Sequence, residues 1–383
     1  MATTYFHAPV KRQKILLLYP YYWPHYKAGG PVQSLFNMAT VFKEECDLYF
    51  LSLTRDIDGT ISNQAVPKGQ WSKGPNQENI YFTNAITPWL ILKLAKQVLP
   101  DVIFINGMFN ITTTVPGLLW AKWLGVKLVI SPRGMLQAWA LKRNPYVKKL
   151  VLAIFKLILN SQETWHATDA QEKSDIIKLF GIKQRVYIAA NVPRTVGQLV
   201  PLSFPERSGK IKLVFLSLIN ANKNIHLIID ATNKWEGRFS LDIFGPVIDV
   251  DYWKRCQGKI KSHWIFYRGP VAPWEVQQTL QQCHFFVLPT LGENFGHAIY
   301  DALASGVPVI ISKNTPWKDI DVSHAGIYMD LDNENALDKI LAMVSAMDQD
   351  TYETYRRASH NYAKQYSESR NYRNEYKFLL GAL

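Results

Sequence analysis

The stretch that decides the fold is "LPTLGENFGHAIYDALASGVPVIIS", Leu288 to Ser312. It reads as a strand end, a glycine-bearing loop, a helix, a glycine and a second strand. A strand–helix–strand unit of this kind builds a parallel sheet. Within it two acids, Glu293 and Asp301, flank a helix start. Free N–H groups at such a start bind anions and sugar hydroxyls, and a glycine lets a ligand come close. The residues alone leave two readings open for each acid. Glu293 is a ligand-gripping carboxylate or a helix cap. Asp301 turns back toward the strand ends or is a solvated helix acid.

The same grammar extends outward in both directions. Before the unit, "IKLVFLSL" (211–218), "FSLDIFG" (239–245), "HWIFYRG" (263–269) and "CHFFVLP" (283–289) read as strands, with helices near 223–235, 250–261 and 273–282. From about 333 the tail reads as helices. The first half repeats the pattern: strands at 14–20, 47–53, 101–107, 126–132, 164–168 and 185–190, and helices at 31–43, 88–98, 111–124, 144–160 and 170–180. Residues 54–78, polar with Gly and Pro, read as a long surface loop. "NVPRTVGQLVPLSFPERSGK" (191–210) breaks the alternation and reads as a linker.

The expected fold class is therefore α/β, with two doubly wound Rossmann-like domains and a cleft between them. The boundaries predicted are 1–195 for a first Rossmann-like domain, 196–365 for a second, and 366–383 for a terminal helix packing back on the first. A length of 383 residues suits two domains. In open parallel sheets ligands bind at the carboxyl ends of the strands, and both halves can aim those ends at one cleft.

Charge separates the halves. Residues 1–195 hold 23 Lys and Arg against 11 Asp and Glu, and residues 196–383 hold 20 against 20. The whole net charge of +12 sits in the first half, which implies an anionic partner there. Within "LKRNPYVKKLVLAIFKLILN" (141–160), Lys142, Lys149 and Lys156 recur every seven residues, with Arg143 and Lys148 adjacent, on an otherwise apolar helix. Such a helix suits an anionic membrane surface; the competing reading is a core helix with solvated lysines. Three cysteines without metal-like spacing point to a reducing compartment. The run "ILLLYPYYW" is broken by Pro20 and reads as a first strand, not a signal peptide. No apolar stretch reaches the length of a membrane span. The expected location is cytoplasmic, peripheral at the inner face of the cell membrane.

At this point the 288–312 unit resembles the signature of the family-4 branch of retaining GT-B glycosyltransferases, similar to bacterial capsule and exopolysaccharide members. Pro289, Glu293, Phe295, Gly296, Ala302, Gly306, Pro308 and Val309 match in place. "AGGPVQSLFNMA" (28–39) is similar to the family's first glycine loop. "VISPRGML" (129–136) looks like its region after the fifth strand, and "LVFLSLINANKNIHLIIDA" (213–231) like the opening of its second domain. The resemblance implies a hexosyltransferase moving a sugar from a UDP- or GDP-sugar to a glycan or polyprenyl-diphosphate-linked acceptor in surface polysaccharide biosynthesis. It places Glu293, Lys223 and Arg133 in the catalytic set. Gly29, Gly30, Ser217, Asn294, Phe295, Gly296 and Asp301 fall in the donor set. Asn106 and His166 are candidates for the acceptor side. The leaving diphosphate meets Lys223 and backbone amides, so no metal and no cofactor is expected.

The chain departs from the pattern in three places. Leu218 stands where an arginine is usual, so one phosphate contact is missing or is supplied elsewhere, with Arg133 and Arg268 the candidates. Asp301 replaces a glutamate. Pro132-Arg133-Gly134 occupies the place of a histidine that touches the donor sugar. Two rival functions remain. A nucleotide-sugar epimerase or hydrolase needs catalytic acids in the first half, which are not evident. A nucleic-acid-binding protein is suggested only by charge, and no motif for it is present.

Overall fold

The computed structural model describes residues 12–61, 66–142, 145–160, 163–204 and 209–381. Arg143, read with the basic helix, and the lead-in 1–11 lie outside them.

Two sheets carry the chain. The first contains β1 (Gln13–Leu18), β2 (Cys46–Leu53), β3 (Trp71–Lys73), β4 (Asn79–Thr83), β5 (Val102–Asn106), β6 (Lys127–Ser131), β7 (Thr164–Ala167) and β8 (Arg185–Ile188). Their order is β3-β4-β2-β1-β5-β6-β7-β8, parallel except for β3. Helices α1 (Gly30–Phe42), α2 (Pro88–Val98), α3 (Ile111–Leu124), α4 (Ala138–Lys142), α5 (Pro145–Ile158) and α6 (Ala170–Phe180) connect them. The second sheet contains β9 (Ile211–Leu216), β10 (Phe239–Phe244), β11 (Ile265–Gly269), β12 (Phe285–Leu288), β13 (Val309–Ser312) and β14 (Gly326–Met329), in the order β11-β10-β9-β12-β13-β14, all parallel. Its helices are α7 (Ile225–Lys234), α8 (Val250–Lys259), α9 (Val276–Leu280), α10 (His297–Ala304), α11 (Ala336–Ser345) and α12 (Gln349–Glu368). A final helix, α13 (Tyr372–Leu380), ends the described chain.

The continuous apolar run of β1 follows from burial on both faces. Ile15 and Leu17 enter one core with α1, and Leu16 and Leu18 enter the other with α2, α3, α5 and α6. The second sheet is wrapped by a single core. Tyr376, Leu379 and Leu380 of α13 are buried in the first domain beside Phe42. Lys127 reaches the carbonyl of Phe378, and Arg373 pairs with Glu45.

Three strands escaped the sequence reading: β3, β4 and β14. The segment read as the loop 54–78 contains β3, a three-residue edge strand paired antiparallel to β4. The glycine-led "GIYM" forms the edge strand β14. Short edge strands carry too few residues to show a period.

Candidate active site

The carboxyl ends of both sheets face a cavity of about 640 Å³. One wall comes from the first domain: the turn after β1, the start of α1, and Arg133 after β6. The other comes from the second: Leu216, Ser217 and Leu218 after β9, Lys223, Gly245 after β10, the 270–274 turn after β11, and Glu293 to Ala298 with Asp301. The crossing segment contributes Asn191, Pro193, Arg194 and Thr195.

Gly29 caps α1 at φ 77 and ψ −140, a region open to glycine and strained for other residues. With Pro31 in the first turn, the helix starts without a side-chain cap; the N–H groups of Val32 and Gln33 bond the Gly29 carbonyl and Pro31 has none, which leaves the Gly30 N–H for an anion. Gly30 abuts the ring of His297: a Cβ there would lie 3.3 Å from it.

Lys223 closes a single 3-10 turn (Ala221–Lys223) and is buried. Its ammonium forms an ion pair and hydrogen bond with Glu293. Both side chains are largely out of solvent, where a pair is held by geometry and neither partner is easily removed. Glu293 is fixed by its own N–H, which donates to the carbonyl of Asn314 at 3.1 Å. This residue is therefore not a helix cap: α10 is capped by Gly296 without a side-chain bond.

Asp301 is 8% exposed on α10 and lines the cavity. Burial raises its pKa, and Arg194, 3.8 Å away, opposes that shift. The solvated-acid reading is excluded. Arg194 also donates to the carbonyl of Pro273 at 2.7 Å and to Gln33 at 3.3 Å, tying both walls together. Sequence reading missed Arg194 because it lies in the stretch read as a linker. His297 was missed too: its Nε2 meets Ser34 Oγ at 2.7 Å across the cleft.

The loop side chains divide their tasks. Phe295 is buried among His297, Tyr300, Trp317 and Tyr366. It anchors the loop. Asn294 Oδ1 accepts from Thr168 at 3.0 Å and from Asn191 at 3.2 Å, so this side chain turns to the first domain. Ser217 lines the cavity and pairs through its N–H with Phe244.

Of the two arginines, Arg268 pairs with Asp242 at 2.6 Å and is not a lining residue, whereas Arg133 lines the cavity. Leu218 packs within 3.5 Å of the Cβ position of Gly29, leaving an apolar contact where a cation was expected.

Two acceptor-side candidates do not reach the cavity. His166 is fully buried, with Nδ1 3.0 Å from Ser131 Oγ and Nε2 donating to the Ala189 carbonyl at 2.8 Å. Its ring packs between Phe104 and Tyr376. Burial pushes its pKa down to about 3. It is a satisfied core histidine. Asn106, also fully buried, accepts from Arg133 Nε at 2.6 Å and so holds the arginine from below.

This arrangement is a two-walled cleft with a Lys–Glu pair, a buried carboxylate and an open helix N-terminus. Residues 210–346 match the model of the family described as glycosyl transferases group 1. The second domain thus carries a group 1 glycosyltransferase segment, and the chain has the GT-B fold. Solved structures share that fold across nearly the whole chain. HepE from Anabaena, solved with UDP and glucose, superposes with a TM-score of 0.69 at 15% identity over 96% of this chain and 98% of that one. Sucrose-phosphate synthase from Thermosynechococcus elongatus gives 0.70 at 12% identity over 92% and 94%. WaaG, a glycosyltransferase involved in lipopolysaccharide biosynthesis, gives 0.66 at 11% identity over 95% and 98%. No curated protein matches the chain.

Proposed function

We propose that this glycosyltransferase moves a hexose-type sugar from a UDP- or GDP-sugar, with retention at the anomeric carbon, to a glycan or lipid-linked acceptor of a surface polysaccharide. The observation that carries the reading is the convergence of Lys223–Glu293, Asp301 and the open start of α1 on one cavity. In this reading Asp301 accepts from the ribose hydroxyls. Lys223 and the Gly30 amide at the start of α1 neutralise the leaving diphosphate, so transfer needs no metal. Glu293 and the amides of Asn294 to Gly296 hold the sugar. Attack comes from the face the nucleotide leaves, with the departing phosphate helping to take the acceptor's proton. HepE has been solved with UDP-glucose in the same fold, which supports a nucleotide-sugar in the cleft.

A thermal-shift screen with UDP, GDP, ADP and their sugars tests the donor. One nucleotide class should raise the melting temperature, and stabilisation by none of them would overturn the reading. Anomeric NMR of the product then reports retention, and transfer should survive EDTA.

The acceptor reading has its own support. Residues 84–160 carry ten Lys and Arg and a single acid, Asp101. The described part of this block forms α2, α3 and α5, which expose Trp89, Trp123, Leu150 and Leu157 on the outside of the first domain. We take this face to approach an anionic membrane carrying the acceptor.

A further inference from the structure

Arg133 is an unusual occupant for the end of β6. It sits in a left-handed turn at φ 56, a conformation that costs energy in a non-glycine residue. Its side chain is 8% exposed and belongs to the cavity wall. Nε donates to Asn106 Oδ1 and one terminal nitrogen to Asn191 Oδ1. The other, Nη2, is buried with no hydrogen-bond partner. Both partners are neutral amides, and among the described residues no carboxylate is in ion-pair contact with the guanidinium. Glu172 and Tyr376 feel its charge, and the Tyr376 hydroxyl, a neutral group, also lies within hydrogen-bonding reach of the guanidinium. Yet Glu172 already accepts from the Gly134 N–H and from both the N–H and hydroxyl of Thr168. Burial raises the pKa of Tyr376, so it stays a neutral phenol.

A second unspent donor lies close by. Asn294 Nδ2 is also buried without a partner. Asn191 connects the two residues: its Oδ1 accepts from Arg133 and its Nδ2 donates to Asn294 Oδ1 at 3.2 Å. The Gly134 backbone abuts the Asn294 side chain as well, since a Cβ on Gly134 would come within 2.8 Å of the Asn294 Cβ. Buried polar atoms are rarely left unpaired, and an uncompensated buried cation is costly. Two donors, one from each wall where the walls meet at Asn191, one of them a guanidinium, match the two oxygens of a carboxylate. Their place is beside Glu293, at the sugar-binding end of the cleft, while Asp301 and Arg194 mark the nucleotide end.

We propose that Arg133 and Asn294 form a receptor for a carboxylate on the transferred sugar, so that the donor is a nucleotide-activated hexuronic acid. This rests on the assignment of the cleft to a nucleotide-sugar. The guanidinium answers the acid group, the Asn294 amide supplies the second donor, and Asn106 and Asn191 hold the fork in orientation. A neutral hexose would leave both donors unpaired, which makes the site discriminate against it.

Calorimetric titration of the full chain tests this with UDP, UDP-glucose and UDP-glucuronate, and with GDP, GDP-mannose and GDP-mannuronate. The sugar acid should bind at least tenfold more tightly than the neutral sugar on the preferred base. Arg133→Met should erase that preference while free nucleotide binds as before. Arg133→Lys keeps a charge without the fork and should retain part of it, which guards against a variant that fails to fold. Equal binding of acid and neutral sugar to the unaltered chain overturns the proposal without any variant. So does an Arg133→Met loss that falls equally on free nucleotide, because the guanidinium would then serve the diphosphate. If neither UDP nor GDP binds, the nucleotide-sugar reading fails first and the carboxylate receptor falls with it.

Discussion

At the scale of single residues, Glu293 concentrates the chemistry. Its carboxylate pairs directly with Lys223 on one wall of the cavity, so Glu293→Gln keeps the shape and removes the charge. Transfer should fall by two orders of magnitude or more, as for a lost transition-state contact, while the chain still folds, with a melting temperature lowered by the loss of the partner of Lys223. Full activity in that variant would end the assignment. Asp301 sets a pH dependence. Its pKa is raised by burial, and only the ionised form accepts from both ribose hydroxyls. Nucleotide affinity should therefore weaken, as pH falls, at a higher pH than an ordinary aspartate would give. Titrations with free nucleotide across the acid range would show it, and Asp301→Asn should remove the dependence. His166 acts on stability instead. The unfolded chain protonates it near pH 6.5, the folded one only near pH 3. The unfolded state thus holds the extra proton between these values, and stability drops as pH falls through that window. At pH 5 the loss is at most about 2 kcal/mol. His166→Gln should flatten the melting curve against pH between 6.5 and 5 and leave the KM for donor unchanged. Much of the site was legible because Glu293, Asp301 and Lys223 lie in motifs whose spacing survives as sequence. Arg194 was hidden, since a cation in a Pro-rich crossing has no local pattern. His166 misled for the opposite reason: a strand-end histidine reads as functional until its two partners, Ser131 and Ala189, are in view.

Among the elements, α1 presents the clearest test. It begins at Gly29, where the backbone takes a glycine conformation, and the space beyond is open enough for a methyl, with Leu218 at 3.5 Å. Gly29→Ala is thus penalised by the backbone and not by a clash. It should cost about 1–3 kcal/mol of stability or shift the helix start, and free nucleotide should bind at least tenfold more weakly because the Gly30 amide turns away. Thermal melts and titration with UDP or GDP separate the two effects, and unchanged affinity would remove α1 from the diphosphate site. The βαβ order was legible because buried parallel strands are long apolar runs such as "KILLL", and helices between them keep their period. β14 escaped because its four residues include a glycine and lie at the sheet edge. α3 is apolar on both sides. It buries Leu118 and Ala121 together with Thr113 and Thr114 and exposes Ile111, Leu119 and Trp123, so its own core does not account for all of its apolar residues.

For the whole molecule, that outward apolarity joins the charge asymmetry. α2 and α3 meet through Trp89, Trp120 and Trp123, with ring centroids 5.7 and 5.9 Å apart, and Lys96 lies 5.2 Å from the Trp123 ring. Lys122 of α3 bonds the Ile158 carbonyl and Glu163, bringing α5 alongside. α5 buries Val151, Leu152 and Phe155 and exposes Leu150, Ile154 and Leu157. A helix apolar on both sides, with Lys149 and Lys156 exposed beside the outer stripe, fits a headgroup boundary better than water. Among the described residues no helix is long and apolar enough to cross a membrane, so the contact expected is with the surface. Each lysine near anionic lipid contributes about 1 kcal/mol. Replacing Lys142, Lys149 and Lys156 by Ser should therefore weaken binding to phosphatidylglycerol-containing vesicles roughly a hundredfold at low salt. Trp89→Ala with Trp123→Ala should weaken it without steepening the salt dependence. Free nucleotide should bind all of these variants as before. Vesicle sedimentation separates the cases: if the lysine variant sediments like the unaltered chain, α5 is an ordinary core helix and the positive charge of the first domain serves another anion.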